Sequence, residues 1–424
     1  MSHQQSALIM SSCLAVLLCA DVAASGFALI EQSGSGLGNA YAGGAAGAED
    51  ASTIFFNPAG MSRLPGKQAV LALHTIKPQA EFSDTGSSTA SGRPLGTAPA
   101  KGGSSATIPN GYFMMDINPQ TQFGLGVNVP FGLETNYPSG WVGRFQALKS
   151  RIETINVNPS LSFKIAEGIS IGAGVNYQNM EAELTSARSF GAVGEGMTTM
   201  NGKDDAWGYN LGALYETTSG GRAGIAYRSS IKYTVEGNVV VTHPSGAVIL
   251  DTPVTAALKT PNLLSLSYFK PLGDKWDVMA DVSRTGWNNF NELRIVQTST
   301  GASLQTTPQN WRNTWRVAVG VNHHYNAQWT TRAGLAYDQS PVSDSNRTAR
   351  IPDNGRTWLA VGGQYKPNKE SAVDIGYAHL FVKNASINNN TGSAGTPDAA
   401  NVGNVVGNYK SSVNILSVQY TYSF

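Results

Sequence analysis

Histidines, cysteines, carboxylates and guanidinium groups build most chemical sites, and in this sequence they are sparse and scattered. The six histidines are His3, His74, His243, His323, His324 and His379. No two fall at a metal-ligand spacing, and no serine, histidine and acid form a hydrolase motif. Gly34, Gly36 and Gly38 are not a dinucleotide fingerprint, because no βαβ pattern surrounds them. No catalytic residue, metal site or cofactor is expected. His323 and His324 would point to opposite faces of a strand beside a turn and suit a membrane interface. What remains is a set of charges late in the chain: Arg316, Arg332, Asp338 and Arg356. Arginine grips carboxylates bidentately, so two guanidinium groups brought together would suit a carboxylate head group. Whether they meet depends on the elements that carry them.

Those elements alternate with period two. Ile169, Ile171, Ala173, Val175 and Tyr177 interleave with Ser170, Gly172, Gly174 and Asn176. At the C-terminus Leu416, Val418, Tyr420, Tyr422 and Phe424 share one face, and Ser417, Gln419, Thr421 and Ser423 the other. Such segments are strands with one apolar and one polar face. Short turns near 118–120, 166–168, 219–221, 272–274, 326–327 and 367–369 alternate with long stretches at 83–106, 135–149, 185–204, 242–255, 296–309, 340–355 and 385–407. Short periplasmic turns and long external loops mark an outer-membrane barrel. The expected fold is all-β: a transmembrane antiparallel β-barrel of about fourteen strands over residues 67–424. Only 13% of residues are charged, 47 are glycine and the net charge is +1. That suits a wall between lipid and a polar lumen, and argues against nucleic acid as a partner. A terminal aromatic, Phe424, suits recognition by the outer-membrane assembly machinery.

Alternation also orients the charges. Trp315, Val317 and Val319 would face lipid and turn Arg316 inward. Ala333, Leu335 and Tyr337 outside place Arg332 and Asp338 inside. Leu359 and Val361 outside place Arg356 inside. Arg316 and Arg332 are expected to be near neighbours across the turn at Asn326, and Asp338 to pair with Arg356. The competing expectation is pairing with acids of the N-terminal segment, Glu31, Glu49 or Asp50, because buried charges need partners.

Residues 1–24 read as a secretory signal. Ala7 to Ala20 is apolar but too short to span a bilayer, and Val22-Ala23-Ala24 gives small residues for cleavage. Both cysteines, Cys13 and Cys19, lie in it. Residues 25–66 do not alternate and are rich in Gly and Ala. Ahead of the first strand, they are expected to sit inside the barrel as a plug.

Several segments resemble one family. Ser25-Gly26-Phe27-Ala28-Leu29, Ser35-Gly36-Leu37-Gly38-Asn39-Ala40-Tyr41-Ala42-Gly43 and Asn57-Pro58-Ala59 are similar to the start of the FadL/TodX long-chain fatty-acid and hydrocarbon transporters. Tyr227-Arg228-Ser229, Trp287, Tyr337-Asp338-Gln339-Ser340-Pro341-Val342 and Ile351-Pro352-Asp353 with Arg356-Thr357-Trp358-Leu359 continue the likeness across nearly the whole mature chain. The resemblance implies a monomeric fourteen-stranded barrel with an N-terminal hatch, taking up apolar ligands and releasing them sideways through the wall, past the lipopolysaccharide layer. It implies that Phe27 touches ligand and that Asn57, Pro58 and Ala59 anchor or gate the hatch.

The residues add two expectations. Trp141, Val142, Phe145 and Leu148 make a helical stripe in one external loop, and Phe190, Val193, Met197 and Met200 repeat it in the next. These could form an apolar capture groove, or bury each other. Pro130 and Gly132 interrupt the third strand, Gln122 to Thr135, where a break would open a path from lumen to lipid. The rival functions are a diffusion porin for polar solutes and an outer-membrane lipid hydrolase.

Overall fold

The computed structural model describes residues 26–392 and 395–424; the expected signal and its cleavage site lie outside them. Fourteen antiparallel spans follow one another around a closed sheet among the described residues. They are β1 (Lys67–Asp84), β2 (Ala106–Asn118), β3 (Thr121–Asn128 and Gly132–Asn136), β4 (Lys149–Ala166), β5 (Ile169–Ser189), β6 (Glu195–Glu216) and β7 (Arg222–Arg228 and Lys232–Thr242). Then come β8 (Val248–Lys259 and Leu263–Leu272), β9 (Trp276–Thr285 and Glu292–Gln297), β10 (Ser303–Pro308 and Thr314–His324), β11 (Trp329–Asp338), β12 (Arg356–Tyr365), β13 (Ser371–Val382 and Ala385–Asn389) and β14 (Val405–Ser423). β14 pairs with β1 from Gln68–Ser423 to Asp84–Gly407, so the sheet has no free edge.

The outward face is apolar: Leu71, Leu266, Val319, Leu335, Leu359, Ile375 and Leu416 are each about half exposed. So large an apolar surface belongs in lipid. Aromatic groups cluster near the short turns, with Trp276 4.2 Å from His323 and Trp329 4.4 Å from Tyr365. From Trp329 to Tyr337 is roughly 26 Å of strand, enough, with tilt, to cover most of an apolar band ~25 Å tall. No described helix is long and apolar enough to cross a membrane.

The long external stretches hold a surprise. β5 has 21 residues and β6 has 22, about twice what a bilayer requires. The expected loops 185–204, 242–255 and 296–309 are therefore mostly strand, closed by turns at 190–194, 243–247 and 298–302. Their polar character signalled exposure to water above the membrane rather than irregular backbone.

Residues 26–66 fill the lumen as four short helical turns and connecting chain. Their backbone lies against inward-facing glycines. A Cβ on Gly224 would come within 1.9 Å of the Ala45 carbonyl oxygen, one on Gly334 within 2.2 Å of the Asn39 carbonyl carbon, and one on Gly172 within 2.4 Å of Ala59 N. The glycine-rich face read as a polar lumen wall is in part a seat for this hatch. Leu37, Tyr41 and Ala42 pack there with Trp358, Leu380 and Ile415.

Candidate functional site

β3 breaks at Val129-Pro130-Phe131. Proline has no N–H to give a ladder, and five residues on β3, Asn128 to Gly132, stand against four on β4, Asn156 to Glu153. The extra residue flips the alternation, as a bulge does. Toward β2 the consequence is larger. Gly111 lies opposite Val127 and Gly103 opposite Thr135, the same register at both ends, and no ladder pairing joins the strands between.

The freed backbone groups find other partners. Thr154 Oγ1 accepts from Phe131 N (3.1 Å) and donates to Phe131 O (2.8 Å). The hatch supplies the rest. Leu29 N donates to Pro130 O and Gly132 N to Phe27 O, each at 2.9 Å. Gln32 Nε2 donates to Val129 O at 2.8 Å. The N-terminal segment thus lies along the gap in the wall.

Phe27 is fully buried in an aromatic box. Its ring centroid is 4.7 Å from that of Trp287, 5.7 Å from Trp311, 5.9 Å from Phe131 and 6.0 Å from Phe290. Each partner comes from a strand interruption: Phe131 from β3, Trp287 and Phe290 from β9, Trp311 from β10. Beneath the box is a chamber of about 110 Å³, lined by Leu29, Glu31, Tyr41, Phe55, Phe56, Pro130, Phe131, Arg228, Trp287 and Arg316 among others. It is apolar with a few charged groups, the usual character of a small-molecule site.

The three arginines all face inward and are buried, but the expected pairing of Arg316 with Arg332 is wrong. In register, Arg316 stands opposite Asp338, and Arg332 opposite Asn322. Arg332 lies nearer the turn than Arg316, so six residues, roughly 20 Å of strand, separate their levels. Arg332 is instead a hatch contact. Its Nη2 is 2.7 Å from Glu49, and Nη1 binds Asp374. Burial works against ionised Glu49, yet the Arg332 guanidinium more than offsets it and holds the carboxyl below its ordinary range. Asp338 is across from Arg356, with 3.8 Å between carboxylate and Nε. Arg356 Nη2 is 2.7 Å from Asp353, whose Oδ2 accepts from Gly26 N at 3.1 Å. Arg316 Nη2 donates to Ala40 O at 2.6 Å, while its buried Nε and Nη1 make no hydrogen bond.

Asn57, Pro58 and Ala59 tie the hatch to the wall. Asn57 Nδ2 donates to Ala45 O (2.7 Å) and to Ala213 O of β6 (3.0 Å), and Oδ1 accepts from Ala59 N (3.1 Å). Pro58 opens the 3₁₀ turn Pro58–Arg63, where a missing N–H costs nothing.

The helical stripes are not found. Residues 137–148 form turns, and Trp141, Val142, Phe145 and Leu148 are buried with Phe82, Tyr137 and Tyr409 under the outer loops. Met197 and Met200 lie on β6, where a separation of three puts them on opposite faces. Met200 packs with Phe190, Val239, Val241, Val254 and Ile295 on the inner face of the projecting strands. Ala256 packs against both this group and the larger apolar cluster that contains the box around Phe27.

Arg228, noted in the sequence only as part of the family likeness, lines the chamber. Its guanidinium lies 4.2 Å over the Phe55 ring and donates to Phe55 O at 3.0 Å and to Asn176. Alternation from Ala226, which faces inward, would have found it. His74 Nδ1 lies 2.6 Å from Ser417 Oγ, but His74 and Ser417 are both 0% exposed and His74 Nε2 has no partner.

A closed barrel with a lipid-facing surface, a filled lumen and an apolar chamber defines a plugged outer-membrane transport protein. The chain belongs to the outer membrane protein transport protein family (OMPP1/FadL/TodX), whose profile matches residues 15–424. It is 27% identical to the long-chain fatty acid transport protein of Escherichia coli K12, covering 91% of this chain and 94% of that one. It is 31% identical to outer membrane protein P1 of Haemophilus influenzae, covering 86% and 88%. The crystal structure of a Pseudomonas aeruginosa FadL homologue superposes with a TM-score of 0.86 at 26% identity, covering 94% of this chain and all of that one. The Pseudomonas putida toluene transporter TodX shares the fold, with a TM-score of 0.66 at 17% identity, covering 88% and 94%.

Proposed function

We propose that this protein carries hydrophobic molecules passively across the outer membrane and releases them sideways between β2 and β3. The carrying observation is that hatch residues Phe27 to Leu29 lie against the β3 gap and also line or cap the chamber. Moving one short segment would therefore open the chamber toward lipid. Ligand would first meet the inward apolar face of β6–β10, around Phe190, Met200 and Val241, then descend past Ala256 to the box. Long-chain fatty acids are favoured over neutral hydrocarbons, because Arg316 brings two N–H groups without hydrogen bonds to the chamber. A buried guanidinium with unused donors suits a carboxylate.

The competing functions fit less well. An open porin needs a clear lumen, and the hatch occupies it. A lipid hydrolase needs an accessible nucleophile, and the Ser417–His74 contact is sealed. Outer-membrane lipid and the assembly machinery remain expected partners, and a monomer the expected state.

The test is equilibrium binding of oleate and toluene to refolded protein. Arg316→Ala should weaken oleate about tenfold or more, the loss of charge-assisted hydrogen bonds, and leave toluene unchanged. Equal effects on both ligands would return Arg316 to a structural role. Free ion conductance with no binding of either ligand would favour the porin.

A further inference from the structure

The β3 gap is not the wall's sole interruption. β7, β8, β9 and β10 also break. At three of their junctions backbone bonds carry across: Ser229 N to Tyr209 O, Thr260 N to Ile231 O, and Gln309 N and Asn310 N to Asn291 O. The β8–β9 junction differs. Pairing runs up to Leu263–Thr285, with one more bond from Gly286 N to Asn262 O, and resumes at Ala256–Ile295. Between these pairs β8 advances seven residues, Leu263 to Ala256, while β9 advances ten, Thr285 to Ile295. Among the described residues no register pairing joins 258–261 to 287–293, and no turn or loop backbone bond crosses that interval. Pro261, with no N–H to offer, lies in the interval.

This interruption borders both the chamber and the outside. Pro261, Leu263, Thr285 and Trp287 line the chamber. Leu264 and Val282, just below, are exposed on the lipid face, and Ala257, Asn288 and Asn289 are exposed on the outer side. Side chains close the interval: Trp287, 1% exposed, and Phe290, 5%. Trp287 Nε1 is buried without a hydrogen-bond partner, a cost that a permanently sealed wall has no reason to keep. Both closers lean on Phe27, which also touches Phe131 at the β3 gap.

We infer that the β8–β9 interruption is a second lateral portal, through which an apolar chain passes between chamber and outer leaflet, and that Phe27 is the shared bolt of both portals. The inference rests on the transport reading above. A ligand that displaces Phe27 withdraws support from Phe131 and from Trp287 and Phe290 together, so both gaps loosen in one step.

Portals can be plugged one at a time. The described residues contain no cysteine, and Thr107, beside the β3 gap, and Ala257, beside the β8–β9 gap, are exposed. Thr107→Cys and Ala257→Cys, singly and together, would be capped with a bulky maleimide on cells of a Gram-negative host lacking its own transporter. Uptake of labelled oleate is the readout. Each cap alone should remove part of the uptake, and both caps all of it. Complete loss from the Thr107→Cys cap alone, or no loss from the Ala257→Cys cap, overturns the second portal. If uncapped, unaltered protein takes up no oleate, the transport reading falls first and the portal with it. For the bolt, the maleimide reactivity of buried Leu258→Cys should rise when Phe27→Ala is added. An unchanged rate overturns the shared role of Phe27.

Discussion

The hatch is held in two different ways at its two ends. Residues 34–62 sit against glycines on successive strands, with Asn57 bonded to β6 and Glu49 to Arg332. Residues 26–32 rest on broken strands, through two backbone bonds, the Gln32 side-chain amide, Asp353 and an aromatic box. The lower contacts are close-packed backbone and ion pair, which yield only as a unit. The upper ones are apolar rings and a few bonds near the chain's beginning, a region that can open locally at low cost. Under the proposed transport reading, the lower part serves as anchor and the upper part as the moving element.

Three perturbations would break or sharpen that contrast. The largest effect is expected where the wall admits no atom. In Gly224→Leu the new side chain occupies the place of the Ala45 carbonyl, so the hatch cannot seat. The barrel should form but conduct ions freely in a planar bilayer, and retained low conductance would count against the anchor. Next is Arg332→Ala. It leaves Glu49 and Asp374 without their cation, a loss of about 3–5 kcal/mol for a buried pair. Intermittent conductance and a lower melting temperature should follow. Phe27→Ala removes a fully buried ring, nominally ~3–5 kcal/mol, but the upper segment can release alone. Conductance should stay low, while hydrogen exchange at the Leu29 and Gly132 amides, both bonded across the β3 gap, accelerates. If the whole hatch exchanges faster, the two ends are one unit.

Much of this was legible in the sequence, and the failures have physical causes. Period-two alternation identified the barrel and the inward direction of Arg316, Arg332 and Arg356, because burial of one face imposes it. Pro130 marked the β3 gap for the same local reason. The break in β8 carries the same sign in Pro261, but those in β7 and β9 contain no proline, and the inward turn of Trp287 toward Phe27 has no mark in the alternation. The Arg316–Arg332 pairing failed because strand register depends on counting from a turn whose residues were known only roughly. Three of the external stretches, 185–204, 242–255 and 296–309, were read as loops because polar strands above a membrane and polar loops have the same composition.

The smallest expected effect concerns Glu31, near the end of the upper segment where it meets the anchor. It is 3% exposed, lines the chamber, and its Oε2 has no hydrogen bond. Burial raises its pKa to about 7, against smaller opposing pulls from Arg356 and Arg316. A carboxyl whose folded value lies above its ordinary one binds its proton more tightly in the folded state, so stability falls as pH rises between the two values and is level beyond them. The penalty is absent below the ordinary value of 4.5, grows toward about 7 and is constant above. Glu31→Gln removes it. The variant and parent should differ little near pH ~5 and most above about 7.5, the variant being the more stable, as read by melting temperature. Oleate binding adds a second sign. Ionised Glu31 shares the chamber with Arg316 and repels a carboxylate, so binding to the parent should weaken as pH rises through about 7, and binding to Glu31→Gln should not. A pH profile that survives in Glu31→Gln would assign the titration elsewhere and leave Glu31 as a neutral hydrogen-bonding part of the hatch.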